Sequence, residues 1–202
     1  MKLTWLGHAC FALEQDGYIV VTDPYTGVEG YPPLKAKAHE IFCSHHHFDH
    51  DAVDCVTLLP EGNSPFTVRE VPSFHDDRGG VLRGANTIRV FTAGGVSVAH
   101  LGDLGHLLSA EQLAAIGKVN GVLVPVGGVY TVDAQGAKQV CQAIGPKFVV
   151  PMHYCHAPYG LPEVAGVEGF LALWPAEQVR RLEGASFEAT AETDGVLVPA
   201  FA

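Results

Sequence analysis

Seven residues, His45 to Asp51, read HHHFDHD and hold four histidines and two aspartates. They come just after the apolar pair Ile41 and Phe42. A chain that gathers this many imidazoles and carboxylates beside an apolar stretch must either solvate them or give them a common partner. The run is internal and interleaved with aspartate, unlike a terminal affinity-tag-like tract. EIFCS (40–44) reads as a short buried strand, and DHDAVDCVTLL (49–59) as a helix beginning at Asp49. The step from a strand end into a helix is where α/β proteins tend to place ligands. His45 and His47, two apart, project to one side where strand geometry persists, and Asp49 and His50 face back from the first helical turn. The HxHxDH spacing thus supplies two imidazoles to one centre and a carboxylate plus an imidazole to a second. These are donors that Zn²⁺, Fe or Mn²⁺ accept.

One metal centre needs three or four ligands, more than the run alone can provide. Three further candidates lie where an apolar strand gives way to a loop: His75 after VPSF, Asp103 after VSVAHLG, and His153 after KFVVPM. The surrounding pattern predicts strands at LTWL, CFALE and YIVVT, with a turn at Gln15-Asp16-Gly17. Residues 24–39, rich in Pro, Gly and Tyr, read as a loop. Strands follow at TVREV, NTIRVF and VSVAHL, the last two joined through Ala93-Gly94-Gly95. Ser109 with Gln112 is a capping-box pattern, which predicts a helix over 109–117. VLVPV is a strand, 133–144 a helix ending at Gly145, and KFVVPM a strand. VRRLE and SFEAT are expected strands in the tail. No repeat or linker interrupts the chain, so 1–202 is expected to be a single α/β layered domain.

Charge narrows the partners. Twelve Lys and Arg against 22 Asp and Glu give a net charge of −10. Such a surface repels phosphate backbones and anionic lipid, so neither nucleic acid nor membrane is an expected partner. MKLTWLGHACF lacks an export-signal pattern, and the five cysteines form no CxxC pair. Reduced thiols and a cytoplasmic location are the expectation. The apolar, glycine-rich tail offers a surface for a second subunit.

Taken together, HxHxDH, a later histidine, Gly-Asp, and a histidine after a strand resemble the ligand order of the metallo-β-lactamase superfamily. WLGHACF followed by VVTDPY, and then SFHDDRGGVLRGANTI, AHLGDLGH, VLVPVGGVYT and PMHY, resemble the blocks of one branch of it. That branch holds compact metal-dependent hydrolases and the ascorbate-phosphate lactonase, and the likeness runs from Trp5 to about Tyr154. The resemblance implies an αββα four-layer sandwich with the site at one edge. It implies His45, His47 and His75 as ligands of a first metal, Asp49, His50 and His153 as ligands of a second, and Asp103 as the bridge. It also implies two divalent ions, Zn²⁺ first, with Mn²⁺ or Fe as alternatives. A hydroxide between them would attack a small ester, lactone or phosphodiester, with Asp49 orienting it and handling its proton. The superfamily's nucleases, glutathione-thioester hydrolases and flavin-linked members carry further domains for which 202 residues leave no room.

Other residues have two readings. His8, in the turn between the opening strands, is either a contact for substrate or water, and so catalytic, or a structural hydrogen-bonding histidine. Asp23 in TDP reads as a carboxylate orienting a ligand histidine, and His100 as a satisfied strand histidine. His106 and His156 are expected near the mouth, with His39 and His46 solvated or packed. Asp76 and Asp77 are either partners of His75 or polar loop. Arg78 and Arg83 each belong either to a solvated loop or, where the substrate is anionic, to a clamp for it, because guanidinium pairs bidentately with carboxylate or phosphate. Tyr130, after Gly127-Gly128, either closes over a ligand or follows a plain turn, and loops 24–38, 76–84 and 155–165 are expected to set specificity. Two further classes remain open: a di-iron redox metalloprotein using the same donor types, and a metal-binding protein without turnover.

Overall fold

A computed structural model describes residues 1–201. The opening residues make three short strands, β1 (Lys2–Gly7), β2 (Cys10–Gln15) and β3 (Tyr18–Thr22). Alternation sorts their side chains onto two faces. Leu3, Trp5, Phe11, Leu13 and Val20 point into the main core, whereas Cys10 and Val21 point the other way. The β2–β3 hairpin closes through Asp16 and Gly17, both at positive φ, the conformation an Asp-Gly turn favours. The chain continues through β4 (Ala36–Ala38), β5 (Glu40–Phe42), β6 (Val56–Leu58), β7 (Thr67–Phe74), β8 (Ala85–Ala93) and β9 (Val96–His100). Then come α1 (Ala110–Ile116), β10 (Gly121–Pro125), α2 (Ala134–Ile144), β11 (Phe148–Met152), α3 (Glu168–Leu171), β12 (Val179–Arg181), β13 (Ser186–Glu188) and β14 (Gly195–Val198).

Two sheets stack over one core. The first has the order β13-β1-β2-β3-β5 and the second β12-β14-β11-β10-β9-β8-β7. The second is parallel from β12 to β9 and antiparallel from β9 to β7. β10 and β11 are buried along their whole length. One of their faces meets the first sheet and the other the helices, which is why they read as unbroken apolar runs. α1 packs on β7, α2 on β10, and α2 touches both α1 and α3. The outer face of the first sheet is covered differently. Cys10, Val21, Tyr25, Val28, Ala38 and Val56 form a second cluster, built on the small β4–β6 sheet and the segment before it. No α-helix among the described residues joins that cluster. The layering is that of the αββα sandwich the resemblance implies, with one outer layer made of strand and loop in place of helix.

Two sequence expectations are corrected. The stretch 49–59 is not a helix: it forms turns, a single 3₁₀ turn at Val53–Cys55, and then β6. The helical spacing of its apolar residues loses to pairing of Val56–Leu58 with Ala36–Ala38, which buries Val56 and satisfies the backbone. For the same reason residues 24–39 are not wholly loop, since they contain β4. The α1 capping box forms as expected: Ser109 Oγ accepts from Gln112 N, and Gln112 Oε1 accepts from Ser109 N. No helix among the described residues is long and apolar enough to cross a membrane, and all five cysteines are free.

Candidate metal centre

The strands deliver their ends to one edge of the sandwich. His8 sits in the β1–β2 turn, Asp23 follows β3, and His45 to His50 follow β5. His75 follows β7, Asp103 follows β9, and His153 follows β11. Five non-glycine residues have positive φ, and His8, Asp23 and His153 are three of them. Such backbone costs about 1–3 kcal/mol per residue and persists where the surroundings impose it. Here it turns each side chain from its strand end back toward the site. Gly102 serves the same purpose by its lack of a side chain. Its φ is +55°, and a Cβ would lie 2.3 Å from Asn86 Oδ1 and 2.4 Å from Ser44 Cβ.

All seven candidate ligands meet, in overlapping groups. His45, His47 and His75 form one, His8, Asp49, His50 and His153 a second, and His45, His50 and Asp103 link them. Within each group one donor atom per residue lies within 4.8 Å of the others. Asp103 is central. Its Oδ1 is 3.2 Å from His50 Nε2, and its Oδ2 is 3.1 Å from His75 Nε2 and 3.2 Å from His153 Nε2. Only His47 is exposed.

A ring of outer partners fixes the histidine tautomers. His50 Nδ1 donates to Asp23 Oδ2 at 2.8 Å, and His75 Nδ1 donates to the Tyr130 carbonyl at 3.0 Å. Ser44 Oγ donates to Asp23 Oδ2 at 2.6 Å, so its oxygen is left to accept from His45 Nδ1 at 2.9 Å. In their neutral forms all three rings therefore present a bare Nε2 lone pair inward. Asp23 reaches two of them, as the reading of TDP anticipated, and the Ser44 relay escaped the sequence reading. The relay had one available signal, a hydroxyl immediately before the first histidine. Asn86, also missed, is a buried amide whose Oδ1 accepts from Asp103 N and whose Nδ2 donates to Leu101 O.

The electrostatics call for a cation. Asp23, Asp49 and Asp103 are buried together, and no Lys or Arg is among the buried residues. Lone pairs of His50 and His75 face carboxylate oxygens at 3.1–3.2 Å, an arrangement that repels unless a proton or a metal ion lies between. His45 Nε2, His50 Nε2, His153 Nε2 and Asp103 Oδ1 are buried without a hydrogen-bond partner. Burial and neighbouring His50 push His45 down to about 3. Burial and His153 push His8 down to about 4, against the pull of Asp49. Both are neutral imidazoles at pH 7, the form that ligates metal. His50 is driven the other way, because Asp103 and Asp23 outweigh its burial and raise it well above the usual range. Burial pushes Asp103 up, but His153 and His50 outweigh it and hold the carboxyl well below its ordinary value. The donors present fit divalent ions of borderline softness, zinc among them.

An open cavity of about 560 Å³ lies over this floor, reaching Asp49, His75 and Asp103 below and Arg83, Tyr130 and Glu163 above. His8 is not among its lining residues: it is 1% exposed and meets the cavity only through Asp49, whose Oδ2 accepts from His8 Nε2 at 3.3 Å. The His8 carbonyl accepts from both Trp5 Nε1 (3.0 Å) and His153 N (3.2 Å), tying the two sheets at the site. His100, at the end of β9, is a satisfied histidine, Nε2 donating to Ala9 O in the β1–β2 turn of the other sheet and Nδ1 accepting from Gly102 N. His106 and His156 do not line the cavity. His106 accepts from Phe74 N, and His156 packs among Trp5, Tyr154 and Tyr159. His46 is exposed and pairs with Asp51, and His39 stacks on Tyr18. Asp76 clasps its own loop, accepting from the backbone N–H groups of Arg78, Gly80, Leu82 and Arg83. Burial pushes its carboxyl up, but these four donors outweigh it and hold it at about 2. Segment 24–38 supplies no residue to the cavity wall and instead braces Phe48, whose carbonyl accepts from Thr26 N.

The chain belongs to the beta-lactamase superfamily domain family, whose profile matches residues 2–153. Among its relatives is a UPF0173 metal-dependent hydrolase of Carboxydothermus hydrogenoformans. It is 30% identical over 193 residues, spanning 76% of this chain and 84% of the relative. A second, from Archaeoglobus fulgidus and with the same description, is 28% identical over 76% of this chain and 83% of its own. A solved structure from Thermotoga maritima, described as a candidate Zn-dependent hydrolase of the metallo-beta-lactamase superfamily, superposes with a TM-score of 0.77 at 33% identity. It covers 98% of this chain and 97% of that one. A metallo hydrolase of Ignicoccus hospitalis shares the fold, with a TM-score of 0.63 at 20% identity over 94% and 99% of the two chains.

Proposed function

We propose that this protein is a metal-dependent hydrolase that holds two divalent cations, zinc first, and cleaves a small ester, lactone or phosphodiester. The observation that carries the reading is the inward set of Nε2 atoms around the Asp103 carboxylate, on rings whose Nδ1 atoms are each engaged by an outer partner. The metal-dependent hydrolase description of the relatives supports it. His45, His47 and His75 would hold one ion, Asp49, His50 and His153 the other, and Asp103 both. When bound, the ions supply Lewis acidity toward a carbonyl or phosphoryl oxygen and lower the pKa of water, to about 7 even for a single Zn²⁺.

The remaining work falls to the chain. Asp49 lines the cavity; His8 engages its Oδ2, which leaves Oδ1 available to take the proton of the attacking water and return it to the leaving-group oxygen. His8 is a positioning residue here, neutral and buried behind Asp49. Phe48 and Leu161 add apolar wall that limits water around the reacting group.

The test is elemental analysis of protein purified without a histidine tag, followed by assays on p-nitrophenyl acetate and bis(p-nitrophenyl) phosphate. About two equivalents of zinc or manganese, with hydrolysis abolished by a chelator and restored by metal, is the expected result. Bound metal without hydrolysis would leave a binding protein, and iron with oxygen consumption would favour the redox class. No metal after reconstitution overturns the reading.

A further inference from the structure

We propose that Arg83 is a specificity residue that reads an oxyanion, carboxylate or phosphate, on the part of the substrate that does not react. This rests on the hydrolase reading above and adds the substrate's charge to it. Arg83 is the one Lys or Arg among the cavity's lining residues, and Asp49, Asp103 and Glu163 share that lining. Its guanidinium lies 5.5 Å from the centre of the Tyr130 ring. Four of the six arginines have protein partners: Arg69 donates to Ile116 O, Arg89 pairs with Glu70, Arg180 with Asp194, and Arg181 with Glu168. The Arg83 side chain has no hydrogen bond or ion pair among the described residues, although the acidic Glu163 lines the same cavity.

The reason is visible in the wall. Glu163 Oε1 accepts from the Tyr130 hydroxyl at 2.5 Å, so that carboxylate is engaged by the phenol on which the guanidinium rests. Tyr130 is itself held from below, since its carbonyl accepts from His75 Nδ1. The Arg83 backbone is equally fixed, its N–H donating to Asp76 Oδ2 at 2.8 Å within the four-donor clasp. A planar five-donor fork is thus carried on a hydrogen-bonded loop against an aromatic face, without a protein partner for its donors, and it lines the cavity above the candidate metal centre. Phe48 and Leu161 in the same wall suit a short apolar spacer between the reacting group and the oxyanion. Arg78, in the same loop, does not line the cavity and cannot substitute.

The test uses binding, so that it is independent of turnover. Metal-loaded protein is titrated calorimetrically with glutarate, with its isosteric monoamide glutaramate, and with 4-phosphonobutyrate. Wild type is expected to bind glutarate and 4-phosphonobutyrate, which each carry a second anionic group, about tenfold or more tightly than glutaramate, the scale of one charge-assisted bidentate contact. Arg83→Ala should erase that preference, Arg83→Lys should keep part of it, and Arg78→Ala should keep it all. Tighter binding of glutarate or of the phosphonate identifies the oxyanion, and either supports the proposal. A preference that survives in Arg83→Ala overturns it. So does an equal loss for all three probes, which would mean that the side chain shapes the cavity instead of reading charge. Absence of measurable binding by either glutarate or 4-phosphonobutyrate overturns it as well. Failure of every hydrolysis assay alongside an Arg83-dependent preference would reject the hydrolase reading alone. Chelator-sensitive hydrolysis without that preference would reject this inference alone.

Discussion

At the floor of the cavity His45, His50 and His75 are buried, and each has its outer nitrogen tied to Ser44, Asp23 or the Tyr130 carbonyl. At the mouth, Phe48 is 58% exposed, Arg83 is half-buried, and Tyr130 and Glu163 reach each other from separate loops. The floor is anchored by strand ends from both sheets, whereas the mouth hangs on the 76–84, 127–132 and 157–166 segments. On the proposed function, chemistry that depends on donor placement within tenths of an ångström would sit on the strand ends, and recognition, which can vary without damage to that placement, on the loops. Changes at the floor should therefore alter metal content, and changes at the mouth should alter selectivity with metal content intact.

The most severe break of that division is Asp103→Ala. It removes the carboxylate that faces three histidines, and hydrolysis is expected to fall by about 10³-fold or more with loss of bound metal. Asp23→Asn comes next. It leaves every inward donor in place but weakens the orientation of His45 and His50, so metal affinity should fall about 10–100-fold in a competition titration with a chromogenic chelator. Metal loading should also release about one proton, because the His50 proton, held by Asp103 and Asp23, must leave before a cation replaces it. Calorimetry in buffers of differing ionisation enthalpy reads that number, and affinity should rise with pH through neutrality. At the mouth, Tyr130→Phe removes only the Glu163 contact and should cost about fivefold in kcat/KM with unchanged metal content. Metal loss in this variant would erase the distinction between floor and mouth.

The smallest effect belongs to the loop clasp. The Asp76 carboxyl is lowered from its ordinary value near 4 to about 2 in the folded protein. Its contribution to stability is therefore fully present above about pH 4 and is lost as pH falls toward 2. Asp76→Asn should lower the melting temperature by a few degrees at pH 7, and the gap from wild type should close on acidification.

The sequence reading placed side chains together where their position follows from a strand end. His75, Asp103 and His153 were legible because each ends an apolar run. The two hairpins and the α1 cap were legible from local turn and capping chemistry. The failures share a different cause. The stretch after Asp49 has the apolar spacing of a helix, yet Val56–Leu58 pairs with a three-residue strand distant in sequence, and no local signal encodes that partner. The same limit hid β4 and α3, each too short to show a period, and the Tyr130–Glu163 contact, which joins two loops 33 residues apart. Ser44 and Asn86 were missed because their value lies in what they hold, which only the packed site defines.

The single carbonyl of His8 has a consequence for how the protein comes apart. It accepts from Trp5 on one sheet and from the amide of His153 at the edge of the other, so it acts as a stitch through the seam of the sandwich. The β11 end of the site then has little freedom to fray alone, since its loosening means separation of the layers. The His153 amide should exchange its hydrogen only through openings close to global unfolding. On heating, affinity for metal should persist to the melting transition and vanish with it as one cooperative event.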